Sequence, residues 1–155
     1  MTQEAEGTTL RHLLAGGKPA VVDVHAETSD GGISFWHEWR WESGPSEGNG
    51  TIKIPPRSAN DPGTPIHFHL NDKTGQGLYF TDDDLGAIWV KRDDCPTSQC
   101  SDSQIPVAMI EQKPQLLKVF NVNSEQCTLH YRLRFKDKNG DPESYDPDIK
   151  NGGKL

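Results

Sequence analysis

Strict alternation of apolar and polar residues marks one segment of this 155-residue chain as a β-strand. From Cys127 to Lys136 every second residue is apolar, and each residue between is polar or charged. A period of two over this length is typical of a strand with one face in the core and the other in water. A second apolar run, residues 117–122, precedes it. The short polar stretch 123–126 between the two runs predicts an antiparallel hairpin.

Six segments nearer the N-terminus also have the composition of short strands: residues 20–27, 33–42, 51–54, 64–70, 78–81 and 87–91. Turn-forming residues separate them, and no amphipathic helix intervenes. We therefore expect an all-β fold, an antiparallel two-sheet immunoglobulin-like sandwich in a single domain, with a barrel as the alternative. The predicted core contains Val22, Val24, Ile33, Phe35, Trp39, Ile66, Phe68, Leu70, Val119, Leu129, Tyr131, Leu133 and Phe135.

Two segments of the chain are predicted to lie outside the strands. Residues 1–18 are expected to form a flexible arm, or one helical turn at residues 9–14 that Gly16 and Gly17 end. Residues 94–106, rich in Ser, Asp, Pro and Cys, are expected to form a long loop. The loop contains Cys95 and Cys100, which could close a small ring under oxidation. With Cys127 the cysteines number three, and an odd number in a reducing compartment favours free thiols.

Composition narrows the range of partners. The chain has 16 Lys and Arg against 23 Asp and Glu, a formal net charge of -7, which disfavours binding to nucleic acid or to an anionic membrane. The N-terminus carries no basic segment followed by an apolar one, and no run approaches membrane-spanning length. We expect an acidic protein that is made and kept in the cytoplasm.

The most suggestive local pattern for metal chemistry is His67-Phe68-His69. Residues two apart on a strand share a face, so two imidazoles can together hold a transition metal such as zinc, copper or iron. A third ligand is needed, and the candidates are His25, His37, His130, Asp72 and the thiols. The other interpretation is that His67 and His69 occupy the polar face of an ordinary strand.

A second pattern concentrates three tryptophans in one predicted strand. Alternation puts Trp39 and Trp41 on the face of Phe35, and Trp36 on the opposite face. An exposed row of aromatic rings would stack on sugars, so Trp36 is a candidate carbohydrate-binding residue. The competing interpretation assigns Phe35, Trp39 and Trp41 to the core, with Trp36 under a loop or in an interface.

The end of the chain is expected to extend along the domain. An Asn139-Gly140 turn leads into an extended C-terminal tail, residues 137–155. Tyr145 and Ile149 are expected to pin this tail to the domain, where it covers a sheet edge.

Over the final hairpin and tail the chain resembles the DP-EP family of small bacterial β-sandwich proteins and, more distantly, the inclusion-body protein family. Those chains also close with a phenylalanine-rich strand, an Asp-Asn-Gly-like turn and an Asp-Pro-x-Ile ending. The resemblance implies an immunoglobulin-like sandwich and no established catalytic residues. The matching residues are Phe135, Asp137, Gly140, Tyr145, Asp146, Pro147, Ile149, Asn151 and Gly152.

No nucleophile motif or phosphate-binding loop is present in the sequence, so an enzyme is the less favoured interpretation. The leading hypothesis is a non-enzymatic module without a cofactor that binds a protein partner or assembles with itself into an oligomer. The alternatives are a metal-binding protein or metalloenzyme that uses His67 and His69, and a carbohydrate-binding module that uses Trp36.

Overall fold

The computed structural model describes residues 18–81, 86–94, 96–111 and 115–154. The described residues form β-strands joined by turns and loops, with no α-helix among them. The strands are β1 (Ala20–Ser29), β2 (Gly32–Trp41), β3 (Ser46–Gly48), β4 (Ile52–Ile54), β5 (Thr64–Asp72), β6 (Tyr79–Phe80), β7 (Ile88–Lys91), β8 (Val107–Ile110), β9 (Leu116–Asn121), β10 (Gln126–Lys136), β11 (Pro142–Tyr145) and β12 (Asp148–Gly152). All eight predicted strands are present, and β3, β8, β11 and β12 were not predicted.

The strands form two packed sheets rather than a closed barrel, so the predicted β-sandwich is confirmed. Sheet A has the order β3-β2-β1-β5-β9-β8. In sheet B, β11 and β12 pair with one edge of β10, β6 and β7 pair with its other edge, and β4 adds to β12. Both sheets are mixed, because β1 runs parallel to β5 and β12 runs parallel to β4. The expectation of purely antiparallel sheets was therefore wrong for these two pairs.

The inward faces of the two sheets supply one hydrophobic core. Of the thirteen predicted core residues, eleven are buried, and Ile33 and Phe35 are partly buried against them. Phe35 of sheet A stacks on Phe135 of sheet B, with 5.3 Å between ring centroids. Such aromatic pairs bury a large apolar area and hold the two sheets face to face.

The predicted hairpin between β9 and β10 was wrong, because β9 lies in sheet A and β10 in sheet B. The chain crosses between the sheets at Asn123, which is fully buried and has a left-handed φ of 52°. Its side-chain amide donates to the Pro55 carbonyl at 2.9 Å, and its oxygen accepts from Gly153 N at 2.8 Å. These bonds fix a crossing that a short polar run in the sequence does not distinguish from a hairpin turn.

A buried amide pair joins the sheets beside this crossing. Asn121 on β9 and Asn151 on β12 each donate to the other's side-chain oxygen, at 2.7 Å and 2.9 Å. Each amide satisfies the other inside the core, and an unpaired one would cost about 1–3 kcal/mol. The end of the chain is therefore built into the sandwich.

The predicted C-terminal tail contains two strands. The Asn139-Gly140 turn is present, with Gly140 at a φ of 82°, and it connects β10 to β11. The following strand, β12, lies between β10 and β4 and covers their edges, as the tail was expected to cover an edge. Gly152 passes so close to Pro56 that a β-carbon there would clash with the backbone.

The loop predicted at residues 94–106 is held in place at its far end. The Arg92 guanidinium donates to both carboxylate oxygens of Asp102, at 2.7 Å and 3.1 Å. The predicted flexible arm falls outside the described residues, apart from Lys18. In the described part of the chain, no apolar helix has the length needed to span a membrane.

Candidate functional site

The outer face of sheet B carries a concentration of positive charge, and we call it the basic face. Strand alternation buries every second residue of β4, β7, β10 and β12 and turns the residues between toward solvent. In a chain of net charge -7, six of the 16 Lys and Arg project from this one surface. They are Lys53, Lys91, Arg132, Arg134, Lys136 and Lys150.

Strand register places two of these cations side by side. Lys53 of β4 is the direct partner of Lys150 in the parallel β12. Like charges directly opposite one another destabilise a strand pair, so an anion between them would relieve repulsion. Both lysines line a shallow cleft of about 290 Å³ with Gln126 and Pro55.

The other end of the basic face has an aromatic ring. The Arg134 guanidinium lies over the Trp89 ring at 4.2 Å from its centroid, and Arg132 lies at 6.0 Å. Asp146 fixes Arg132 through two hydrogen bonds, from Nε at 2.7 Å and from Nη2 at 3.2 Å. Trp89, Arg132 and Arg134 line a second cleft of about 330 Å³ together with Ser144 and the acidic Glu143.

The two clefts lie at opposite ends of β10. Lys150 pairs with Thr128 and Ser144 pairs with Arg134, six residues further along the strand. At roughly 3.3 Å per residue this places the clefts about 20 Å apart. His130 lies between them and shares a hydrogen bond of 2.7 Å with Asp148.

His67 and His69 project from the outer face of sheet A, as strand alternation predicted. Asp23 on β1 is the register partner of His69. His69 is exposed overall, but neighbouring groups shield its ring enough to lower its pKa; Asp23 opposes this shift, and Arg40 and Lys118 add to it.

The candidates for a third metal ligand lie mostly elsewhere. His37 is buried between the sheets, and His130 is on the outer face of sheet B. Asp72 accepts hydrogen bonds from Thr74 and Leu78; burial would raise its pKa, but these bonds outweigh burial and lower it. Among the described residues, no group of three or more His, Cys, Asp or Glu side chains is arranged to hold a metal ion.

Trp36 lies on the outer face of sheet A, as predicted, and is half-buried. The His25 imidazole stacks on it, with 4.1 Å between centroids and an angle of 23°. One face of the indole is therefore covered by a neighbour on the same sheet. Trp39 is buried and Trp41 is partly buried, as the core interpretation predicted.

The C-terminal motif residues all contact the sandwich. Asp146 holds Arg132, the Pro147 carbonyl accepts from Tyr131 N at 3.1 Å, and Ile149 is buried in the core. The Tyr145 hydroxyl donates to Nδ1 of His37 at 2.6 Å. The motif is therefore part of the framework that positions the basic face.

His37 is a buried residue whose role the sequence did not indicate. Its Nε2 donates to the Gly50 carbonyl at 2.8 Å, and in the neutral ring, which burial favours, Nδ1 accepts from Tyr145. Burial lowers the pKa of His37, against the hydrogen bond to Gly50, and burial raises the pKa of Tyr145. This histidine links β2, the loop before β4, and β11.

Two cysteines are described, and both are free thiols, as expected. Burial raises the pKa of the Cys127 thiol, so less of it is in the reactive thiolate form. Cys95 falls outside the described residues.

Comparison with protein-family models and with curated protein sequences finds no match to this chain. The resemblance to the DP-EP family through residues such as Tyr145 and Pro147 therefore stays a prediction.

Proposed function

We propose that this protein is a non-enzymatic binding module whose basic face binds an extended, acidic segment of a partner protein. One observation carries the proposal: within the described residues, five cations of this face form no salt bridge. They are Lys53, Lys91, Arg134, Lys136 and Lys150. In an acidic protein, where carboxylates are in excess, cations without a salt bridge remain available to the carboxylates of a ligand.

The spacing of the clefts supports a polypeptide as the ligand. About 20 Å separates the Lys53–Lys150 pair from Arg134, the length of roughly six residues of extended chain. Carboxylates at both ends of such a segment would reach both clefts, and the Arg134 guanidinium is suited to two hydrogen bonds with one carboxylate.

A nucleic acid is a poorer fit. The net charge of -7 repels a dense polyanion at long range, and Asp146 and Asp148 lie within the face itself. A flexible peptide can place its carboxylates away from these two aspartates.

The predictions made from the sequence are compatible with this proposal, and separate experiments are needed to test them. An acidic segment of a second copy would make the protein a self-assembling oligomer. The immunoglobulin-like type, the DP-EP resemblance and the cytoplasmic location stay predictions, as does metal binding by His67 and His69.

The experiment is calorimetric titration with capped oligoglutamate peptides of two and of eight residues at low ionic strength. We expect the longer peptide to bind and the shorter one to bind at least about tenfold more weakly, because only the longer one reaches both clefts. An oligolysine of the same length is the charge control. Light scattering on the same sample tests self-assembly.

Two matched variants assign the binding to a face. Arg134→Gln removes a cation of the basic face, and Arg40→Gln removes one from the outer face of sheet A, where Asp23 lies 3.9 Å from it. We expect Arg134→Gln to weaken binding and Arg40→Gln to leave it unchanged. Equal effects, no binding of the longer peptide, or tighter binding of a DNA duplex would overturn the proposal.

A further inference from the structure

A cleft of about 550 Å³ opens between the edge of sheet A and the edge of sheet B, and we call it the tryptophan cleft. Its volume is in the range of clefts that hold small ligands. Strand β2 contributes lining residues on one side of the cleft. Strand β4 and the loop before it also contribute lining residues. The lining residues are Trp39, Trp41, Glu47, Gly50, Thr51, Lys53 and Pro55.

The floor of the tryptophan cleft is aromatic. Trp39 is 5% exposed and belongs to the core, whereas Trp41 is only partly buried. Their rings meet edge to face at 5.8 Å between centroids. Trp39 thus fixes the orientation of Trp41, which leaves indole surface for the apolar face of a ligand ring.

The rim of the cleft is polar and balanced in charge. Glu47 offers a carboxylate, Thr51 a hydroxyl and Lys53 an ammonium group. Because these two charges offset each other, the rim has no net charge that would attract an ion of either sign. A purely apolar ligand would remove water from these groups without replacing their hydrogen bonds. The rim therefore favours a neutral ligand with several hydroxyl groups.

A β-bulge places Glu47 at this rim. The pairing of β2 with β3 moves from Trp39 opposite Gly48 to Arg40 opposite Ser46, which leaves Glu47 as the extra, unpaired residue. Bulges of this kind redirect a side chain, and they are frequent next to binding sites.

The loop opposite the tryptophans is held in a fixed position. The Gly50 carbonyl accepts a hydrogen bond from the buried His37. On its other side Gly50 faces open space, with no atom within 4 Å of where a β-carbon would lie. The cleft is therefore preformed and accessible, which lowers the entropy lost on binding.

We propose that the tryptophan cleft binds a neutral pyranose sugar. The apolar face of the sugar ring packs on Trp41, and its hydroxyls donate to Glu47 and bond to Thr51. The proposal stands apart from the basic face, although Lys53 and Pro55 line both the tryptophan cleft and the neighbouring cleft of the basic face.

Tryptophan fluorescence titrations test the proposal with glucose, galactose, mannose, N-acetylglucosamine and cellobiose, and with glucuronate and glucosamine as charged controls. We expect at least one neutral sugar to give a saturable change that Trp41→Ala abolishes. Trp36→Ala is the matched control, because its ring stacks on His25 on another surface, and it should retain the response.

A second variant keeps the proposal testable if Trp41→Ala does not fold. Glu47→Gln changes an exposed side chain and keeps every tryptophan, and we expect it to weaken sugar binding about tenfold through loss of a charged acceptor. No saturable response to any neutral sugar, a response that survives Trp41→Ala, or equal binding of glucuronate would overturn the proposal.

Discussion

The outer faces of the two sheets are built from similar strands, but their charged side chains are arranged differently. On the side of sheet A, cations lie near acids: Arg40 is 3.9 Å from Asp23, Lys118 3.1 Å from Glu111, and Lys73 3.7 Å from Glu27. On sheet B, five cations have no such partner within the described residues, and two of them are direct register neighbours.

This difference shows that net charge alone does not describe how charge is distributed over the surface of a protein. The composition is acidic, and on that ground alone an acidic ligand would not be expected. The sheet nevertheless collects cations from β4, β7, β10 and β12 on one surface. Because the Lys53–Lys150 pair is repulsive, this pairing does not add to the stability of the sheet.

The largest expected effect comes from reversing the charge of the basic face. Arg134→Glu combined with Lys150→Glu places an acid in each cleft, and we expect the binding of octaglutamate to fall by more than about thirtyfold. Lys73→Glu combined with Lys118→Glu makes the same change of charge on the side of sheet A and should alter the affinity less than about twofold. Isothermal calorimetry on the two double variants measures both, and similar losses would remove the distinction between the faces.

A smaller effect is expected from the tryptophans on the two faces. Trp89→Ala removes the ring beneath the Arg134 guanidinium, and we expect severalfold weaker peptide binding together with a loss of about 1 kcal/mol in the free energy of unfolding. Trp36→Ala removes the ring that stacks on His25 and should leave peptide binding unchanged. Urea unfolding and peptide titration separate stability from binding; unchanged affinity in Trp89→Ala would show that this ring does not position the site.

The smallest effect concerns pH and the histidine between the sheets. The pKa of His37 in the folded protein is below its ordinary value, so its contribution to stability is complete above about pH 6.5 and is lost as the pH falls toward the folded pKa. His37→Gln should therefore flatten the decline of the free energy of unfolding on acidification. His69 has a pKa shift in the same direction but lies on the outer face of sheet A, so His69→Gln should flatten the decline less. Denaturant unfolding between neutral and mildly acidic pH decides this, and an unchanged slope in His37→Gln would contradict the lowering of the His37 pKa by burial.

Much of the sandwich could be predicted because period-two alternation reports burial directly. The pattern from Cys127 to Lys136 correctly separated core from solvent along β10. The short strands β3 and β11 were not predicted, because three or four mostly polar residues are too few to show an alternating pattern. The position of β9 was wrong because a sheet crossing at Asn123 depends on distant partners, Pro55 and Gly153.

The candidate sites were less predictable, because they too depend on contacts between residues that are distant in the sequence. Alternation could assign Arg134 and Lys150 to outer faces, but the sequence did not show that their strands share a sheet. The joining of β4 to β12, which makes Lys53 the neighbour of Lys150, follows from the long-range pairing of distant segments. The tryptophan cleft depends on the bulge at Glu47, and a bulge has no signature in this sequence.

The central claim is that the basic face, and no other surface, receives an acidic polypeptide. The most direct test is two-dimensional nuclear magnetic resonance of isotopically labelled protein during titration with octaglutamate. We predict that the largest shifts of amide and side-chain signals come from Trp89, Arg132, Arg134, Lys53 and Lys150, with those of His67, His69 and Trp36 unchanged. Shifts centred on the outer face of sheet A, or no shifts at saturating peptide, would contradict the account.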